Sequence, residues 1–215
     1  MSSLEKNTIF VAVDIEKCGP LLIAHKVVSV GICIGDGSKN IIERKKFNLK
    51  VKWWVINDDD VLLPYFTDYG DFEEGCLKQF WSKLNASVLE ACYTNPEPLE
   101  QTDGWHAIAE YIDSLETTYQ GHQIKFLTDN GEFDIGNINY NLEKYVDRKP
   151  MRYSTTGEFR SVINTKGMLK MIPPKERTDI IKQCEQEASH NHDCVSDAEN
   201  IYLQYIKAVD WTHNK

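Results

Sequence analysis

Five side chains in this sequence have the types and spacing that metal-assisted hydrolysis needs. Asp14 and Glu16 stand two residues apart at the end of a β-branched, apolar run over residues 8–13. Alternation along a strand turns both carboxylates to the same side. Asp134 follows a second apolar run, 123–128, and opens a segment with helical spacing. Asp197 begins the last amphipathic segment, five residues after His192. Carboxylates at the end of a sheet are costly unless they are paired or bind metal. Oxygen ligands at this density suit Mg²⁺ or Mn²⁺ better than zinc. Two such ions about 4 Å apart activate a water and stabilise the leaving oxygen of a phosphodiester. A nearby histidine, His192, is then the candidate base for that water.

These groups meet only if the intervening elements bring them together. Residues 8–13 read as a buried strand that ends in the carboxylates Asp14 and Glu16. Residues 27–34 read as a central strand, apolar on both faces. The turn Gly35-Asp36-Gly37 leads into a hairpin partner from Ile41. Further on, Phe47, Leu49, Val51, Trp53 and Val55 alternate with Lys46, Asn48, Lys50 and Lys52, which predicts one inward and one outward face. Three antiparallel strands are therefore expected first. Asp71 as cap, with Phe72, Cys76, Phe80 and Leu84 at intervals of four, predicts a helix broken by 94–98. Another carries Trp105, Ile108, Ile112 and Leu115. A short strand over 123–128 and a helix with Ile135, Ile138, Leu142 and Tyr145 follow. Residues 149–176 read as irregular. Helices over about 179–187 and 195–209 close the chain. This order predicts a mixed α/β layer fold with helices packed on one sheet.

The chain has 215 residues, enough for one domain of ordinary size. Its 33 acidic and 24 basic residues give a net charge of -9, which argues against a protein that coats nucleic acid by blanket phosphate neutralisation. Acidity does not exclude a nucleic-acid enzyme, because bound divalent cations reverse the local field. No apolar run approaches the roughly 18 residues of a membrane span, and no signal peptide is visible. The six cysteines are scattered, so reduced thiols and an intracellular, cytoplasmic or nuclear setting are expected.

Three short motifs, taken in order, resemble those of the DEDDh 3′–5′ exonucleases, the DnaQ-like group that includes proofreading subunits and ribonuclease T. They are Asp14-Ile-Glu16, Asn130-Gly-Glu-Phe133-Asp134-Ile-Gly136 and His192-Asp-Cys-Val-Ser-Asp197-Ala198. The resemblance spans about residues 8–209 of a single domain, with a possible helical insertion over 57–119. It implies an RNase H-like fold, an antiparallel meander followed by parallel strands. It implies release of nucleoside 5′-monophosphates from a nucleic-acid 3′ end, single-stranded DNA or RNA being the expected partner. Asp14, Glu16, Asp134 and Asp197 would hold two Mg²⁺ or Mn²⁺ ions, Asp14 bridging, and His192 would be the base. Gly19, Cys18, Asn130 and Phe133 would border the substrate. Cys18-Gly19 stands where the family often has Thr-Gly, so Cys18 lacks a hydroxyl there.

Two other readings compete. A non-catalytic nucleic-acid-binding or scaffold module could keep the same fold; such a module should have lost a carboxylate. Cys184, His190, His192 and Cys194 could hold a zinc, although their spacing matches no common finger. The Lys46, Lys50 and Lys52 face with Trp54, and the trio Arg148, Lys149 and Arg152, are further candidates for phosphate contacts.

Overall fold

Thr8–Lys17 forms the first strand, β1, and sits at the centre of a five-stranded sheet. The structure is a computed structural model that describes residues 7–51, 54–56, 62–64, 71–93, 96–147 and 161–213. β2 (Val27–Asp36) and β3 (Ile41–Asn48) continue antiparallel on one side of β1. β6 (Gln123–Thr128) and β7 (Ser161–Asn164) lie parallel on the other, giving the order β3-β2-β1-β6-β7. β4 (Trp54–Ile56) and β5 (Leu62–Pro64) form a separate antiparallel pair.

β1 is apolar on both faces because both are covered. Ile9, Val11, Val13 and Ile15 point into one core with α3 (Gln101–Thr118) and α4 (Asp134–Val146). Phe10 and Ala12 point into the other, with α5 (Thr165–Leu169), α6 (Pro174–Glu187) and α7 (Cys194–His213). Period-two geometry assigns Asp14 and Glu16 to this second face, the one that α7 covers. A smaller third cluster packs α1 (Glu74–Gln79), the 3₁₀ turn Trp81–Lys83 and α2 (Ala86–Tyr93) against Cys18, Val28 and Val51. No helix among the described residues is long and apolar enough to cross a membrane.

Several sequence expectations need correction. β1 ends one residue beyond its two carboxylates, at Lys17, because pairing with β2 continues through Asp14 and Glu16. β3 stops at Asn48; that residue, assigned outward, is buried and donates its amide to the carbonyls of Ala91 and Pro96 at 3.0 and 2.8 Å. Lys46 and Lys50 are engaged with Asp193 and Glu100 at 3.0 and 2.6 Å, not free along a face. The helix expected from Asp71 is two helices and a 3₁₀ turn. Glu73 caps it, and Asp71 pairs with Lys26 at 2.9 Å. The irregular stretch 149–176 contains β7, α5 and the start of α6. α3 lies in the main core, so the part of 57–119 that it spans is integral to the fold. Lys52, Trp53, Arg148, Lys149 and Arg152 fall outside the described residues.

Candidate active site

The site is built where the parallel strands β1 and β6 end, the usual place for ligands in open α/β sheets. Asp14 pairs with Gly31 of β2 and Glu16 with Ser29. Gly31 explains how α7 reaches them. A Cβ at this position would lie 2.1 Å from the carbonyl oxygen of Cys194, so only glycine lets the first turn of α7 rest on the sheet. That contact delivers Asp197 to the ends of β1 and β2. Asp197 is buried, and its carboxylate accepts from the backbone N–H groups of Asn191 and His192 at 3.0 and 3.2 Å. His192 has a left-handed φ of 66°, uncommon for a residue with a side chain. Two backbone N–H groups converging on one carboxylate make a small anion nest.

The opposite wall comes from the turn after β6. The Thr128 hydroxyl donates to the buried Asp134 carboxylate and also accepts from the Asn130 N–H at 3.1 Å. The Asn130 carbonyl accepts from the Asp134 N–H at 2.8 Å, and its side-chain oxygen from the Phe133 N–H at 3.3 Å. Asn130 thus shapes the turn that sets Asp134 in place. Phe133 packs on the first core, with the Lys17 ammonium 5.7 Å from its ring centre.

Two groups of carboxylates result, and they share a member. Oxygen atoms of Asp14, Glu16 and Asp197 lie within 4.8 Å of one another, and those of Asp14, Asp129 and Asp134 do likewise. One oxygen of Asp14, Oδ2, is buried and has no hydrogen-bond partner among the described residues. A buried, unpartnered carboxylate oxygen is costly unless a cation answers it. The electrostatics agree. Burial first, and then the neighbouring carboxylates, push the pKa values of Asp14 and Glu16 well above the ordinary range. Burial pushes Asp134 up to about 7 despite the Thr128 hydrogen bond. All donors in these two groups are carboxylate oxygens, the chemistry of a hard divalent cation.

His192 stands at the edge of this cluster. Its ring meets the Phe80 ring edge-on, with centroids 4.7 Å apart, so the 3₁₀ turn region supports it from the side. Trp81 ties that region to β1 by donating its indole N–H to the Lys17 carbonyl at 2.9 Å. Burial lowers the pKa of His192, which keeps the ring neutral and able to accept a proton near pH 7. His190 is different: its Nδ1 lies 3.3 Å from Asp197, and that hydrogen bond raises its pKa.

Sequence reasoning missed Asp129 and His190 as members of the site. The former follows directly on a buried strand, where a single aspartate reads equally well as a turn residue. The latter entered the sequence reading only as a member of the zinc alternative. Cys18 was expected to border the substrate, and the structure corrects this. Its side chain is fully buried in the third cluster, its N–H donates to the Lys26 carbonyl, and its carbonyl accepts from Glu73. Gly19 is pressed against His25 and Glu73, where a Cβ would come within 2.5 Å of the His25 ring. The zinc alternative also changes. Cys184 and Cys194 lie inside the protein, and the group that converges is His190, His192 and Asp197.

No protein-family model matches the chain, and no curated protein matches it. Solved structures do. Escherichia coli exonuclease I, in complex with a dT13 oligonucleotide, is 15% identical, with a TM-score of 0.57 over 95% of this chain and 41% of that one. The nuclease domain of 3'hExo, described as a DEDDh family member bound to rAMP, is 12% identical, with a TM-score of 0.52 over 98% and 94%. A 3′-exonuclease with 3′-end specific recognition of histone mRNA stem-loop is 10% identical, with a TM-score of 0.54 over 94% and 81%. The chain spans less than half of exonuclease I, 41% and 43% of it in two DNA complexes. At these identities the likeness is one of fold. The fold class is the one expected: an RNase H-like mixed sheet with helices on it, as in DEDDh 3′-exonucleases.

Proposed function

We propose that this chain is a metal-dependent 3′–5′ exonuclease that removes nucleoside 5′-monophosphates from the ends of single-stranded DNA or RNA. The observation that carries the reading is Asp14, shared by two carboxylate groups and holding a buried oxygen without a partner. Asp14, Glu16 and Asp197 would hold one Mg²⁺ or Mn²⁺ ion, and Asp14, with Asp134 and Asp129, a second. Bound there, the ions supply water acidification and charge neutralisation at the leaving oxygen. The residues of the chain do the rest. His192, neutral at pH 7, takes the proton of the attacking water. The backbone of residues 191 and 192 fixes Asp197 so that its remaining lone pairs stay aimed at the cluster. Gly19, Asn130 and Phe133 border the space for the terminal nucleotide. A scaffold reading is disfavoured by the presence of all four carboxylates and the histidine.

The test is degradation of 5′-labelled DNA and RNA oligonucleotides with Mg²⁺ or Mn²⁺. Stepwise shortening with release of 5′-mononucleotides is expected, abolished by Asp14→Asn. His192→Ala should cut turnover by ~10²-fold or more, the scale of a lost general base, while metal binding persists. Full activity in Asp14→Asn would refute the reading.

A further inference from the structure

A cleft of about 400 Å³ adjoins the carboxylate cluster, sharing Asp129 and His190 with the converging groups there and lined beyond them by residues of α5, α6 and α7. Three cations line it: Lys166 and Lys170 are exposed, and Arg177 is half-buried. Its floor is apolar, formed by Leu169, Ile181 and Ile201. Glu185 is the one acid on the outer lining among the described residues, so the outer cleft carries a positive surplus on a chain whose net charge is -9. A local surplus of that sign on an acidic protein attracts anions to one place.

We propose that this cleft is the track for the polynucleotide strand on the 5′ side of the scissile bond, an inference that rests on the exonuclease reading above. The argument is a matter of where phosphates are. An enzyme working at a 3′ end engages one phosphodiester at the metal centre, and the terminal nucleotide beyond it brings no further phosphate. Every other phosphate of the substrate lies upstream. Three cations set apart from the metal centre but in a cleft adjoining it therefore have only upstream phosphates to answer. The apolar floor gives the accompanying bases and sugars a surface to lie on, independent of sequence.

The experiment compares wild-type protein with Lys166→Gln/Lys170→Gln/Arg177→Gln. Binding of a fluorescein-labelled single-stranded decamer is read by anisotropy in Ca²⁺, which suppresses turnover. Hydrolysis of the decamer and of a dinucleoside monophosphate, which has no upstream phosphate, is read in Mg²⁺. The triple variant should bind the decamer at least about tenfold more weakly. Its log affinity should depend less steeply on log salt, by about 2 for three lost single-strand phosphate contacts. Hydrolysis of the dinucleoside monophosphate should match wild type while decamer kcat/KM falls. Equal decamer affinity in both proteins would overturn the inference, and so would an equal loss on both substrates. If wild-type protein cleaves neither substrate, the exonuclease reading fails, and the anisotropy comparison alone then decides the cleft.

Discussion

Among individual residues, Asp14 carries the most weight, because its chemistry is unfavourable without a ligand. Burial raises its pKa, and the crowding carboxylates of Glu16, Asp134, Asp197 and Asp129 raise it further. The sign of the resulting pH dependence follows. These carboxyl groups have folded-state pKa values above their unfolded ones. Between about pH 4 and the raised values, about 7 for Asp134, the folded state holds more protons than the unfolded state. Metal-free protein should therefore lose stability as pH rises from 4 through 7. Thermal melts of chelator-treated protein across that range check it. Asp14→Asn removes one repelling charge and should raise the metal-free melting temperature at pH 7.5, by at least about 2 °C on the scale expected for a chain this long. A lower melting temperature in the variant would mean that the cluster is not under the strain described. At this scale the sequence was readable where motifs are local. Asp14, Glu16, Asp134, His192 and Asp197 announce themselves by spacing. Asp129 does not, because one aspartate after a strand is indistinguishable from a turn residue. Cys18 was misplaced because its exposure depends on a third cluster assembled from residues 51 to 92.

Two elements do the positioning, and both rely on close approach. α7 lies on β2 because Gly31 has no side chain, and its first turn carries Asp197. Gly31→Val should force a carbonyl and a methyl-bearing carbon apart at a contact of 2.1 Å. Overpacking of this kind costs about 1–3 kcal/mol, which corresponds to several degrees in melting temperature. The same variant should lose most of the stabilisation that Mn²⁺ confers, since Asp197 would be displaced; a melting temperature and Mn²⁺ response equal to wild type would contradict this role for Gly31. The glycine was visible in the sequence, in the middle of an apolar strand, but what it approaches was not, since its neighbour in space is some 160 residues away in the chain. The helical period of Phe72, Cys76, Phe80 and Leu84 was misleading for a related reason. Spacing of four persists through a 3₁₀ turn, so periodicity alone could not reveal that Phe80 leaves the helix to support His192. β7 escaped because four residues are too few to show alternation.

For the whole molecule, the order of strands explains why distant segments converge. β1 is central, antiparallel to β2 and parallel to β6, so its carboxyl end and that of β6 emerge side by side. One core layer then supplies α4 with Asp134, and the other supplies α7 with Asp197. The overall layer architecture was legible from apolar runs and their periods; which side of the sheet each helix takes was not, because that depends on crossover geometry. Five carboxylates, those of Asp14, Glu16, Asp129, Asp134 and Asp197, converge at these strand ends in a cage suited to hard divalent cations. The most direct test is calorimetric titration of Mn²⁺ into metal-free protein. Two ions per chain should bind to wild type, and Asp14→Asn, which removes the shared ligand, should weaken both. Absence of Mn²⁺ binding, or binding that Asp14→Asn leaves intact, would contradict the account.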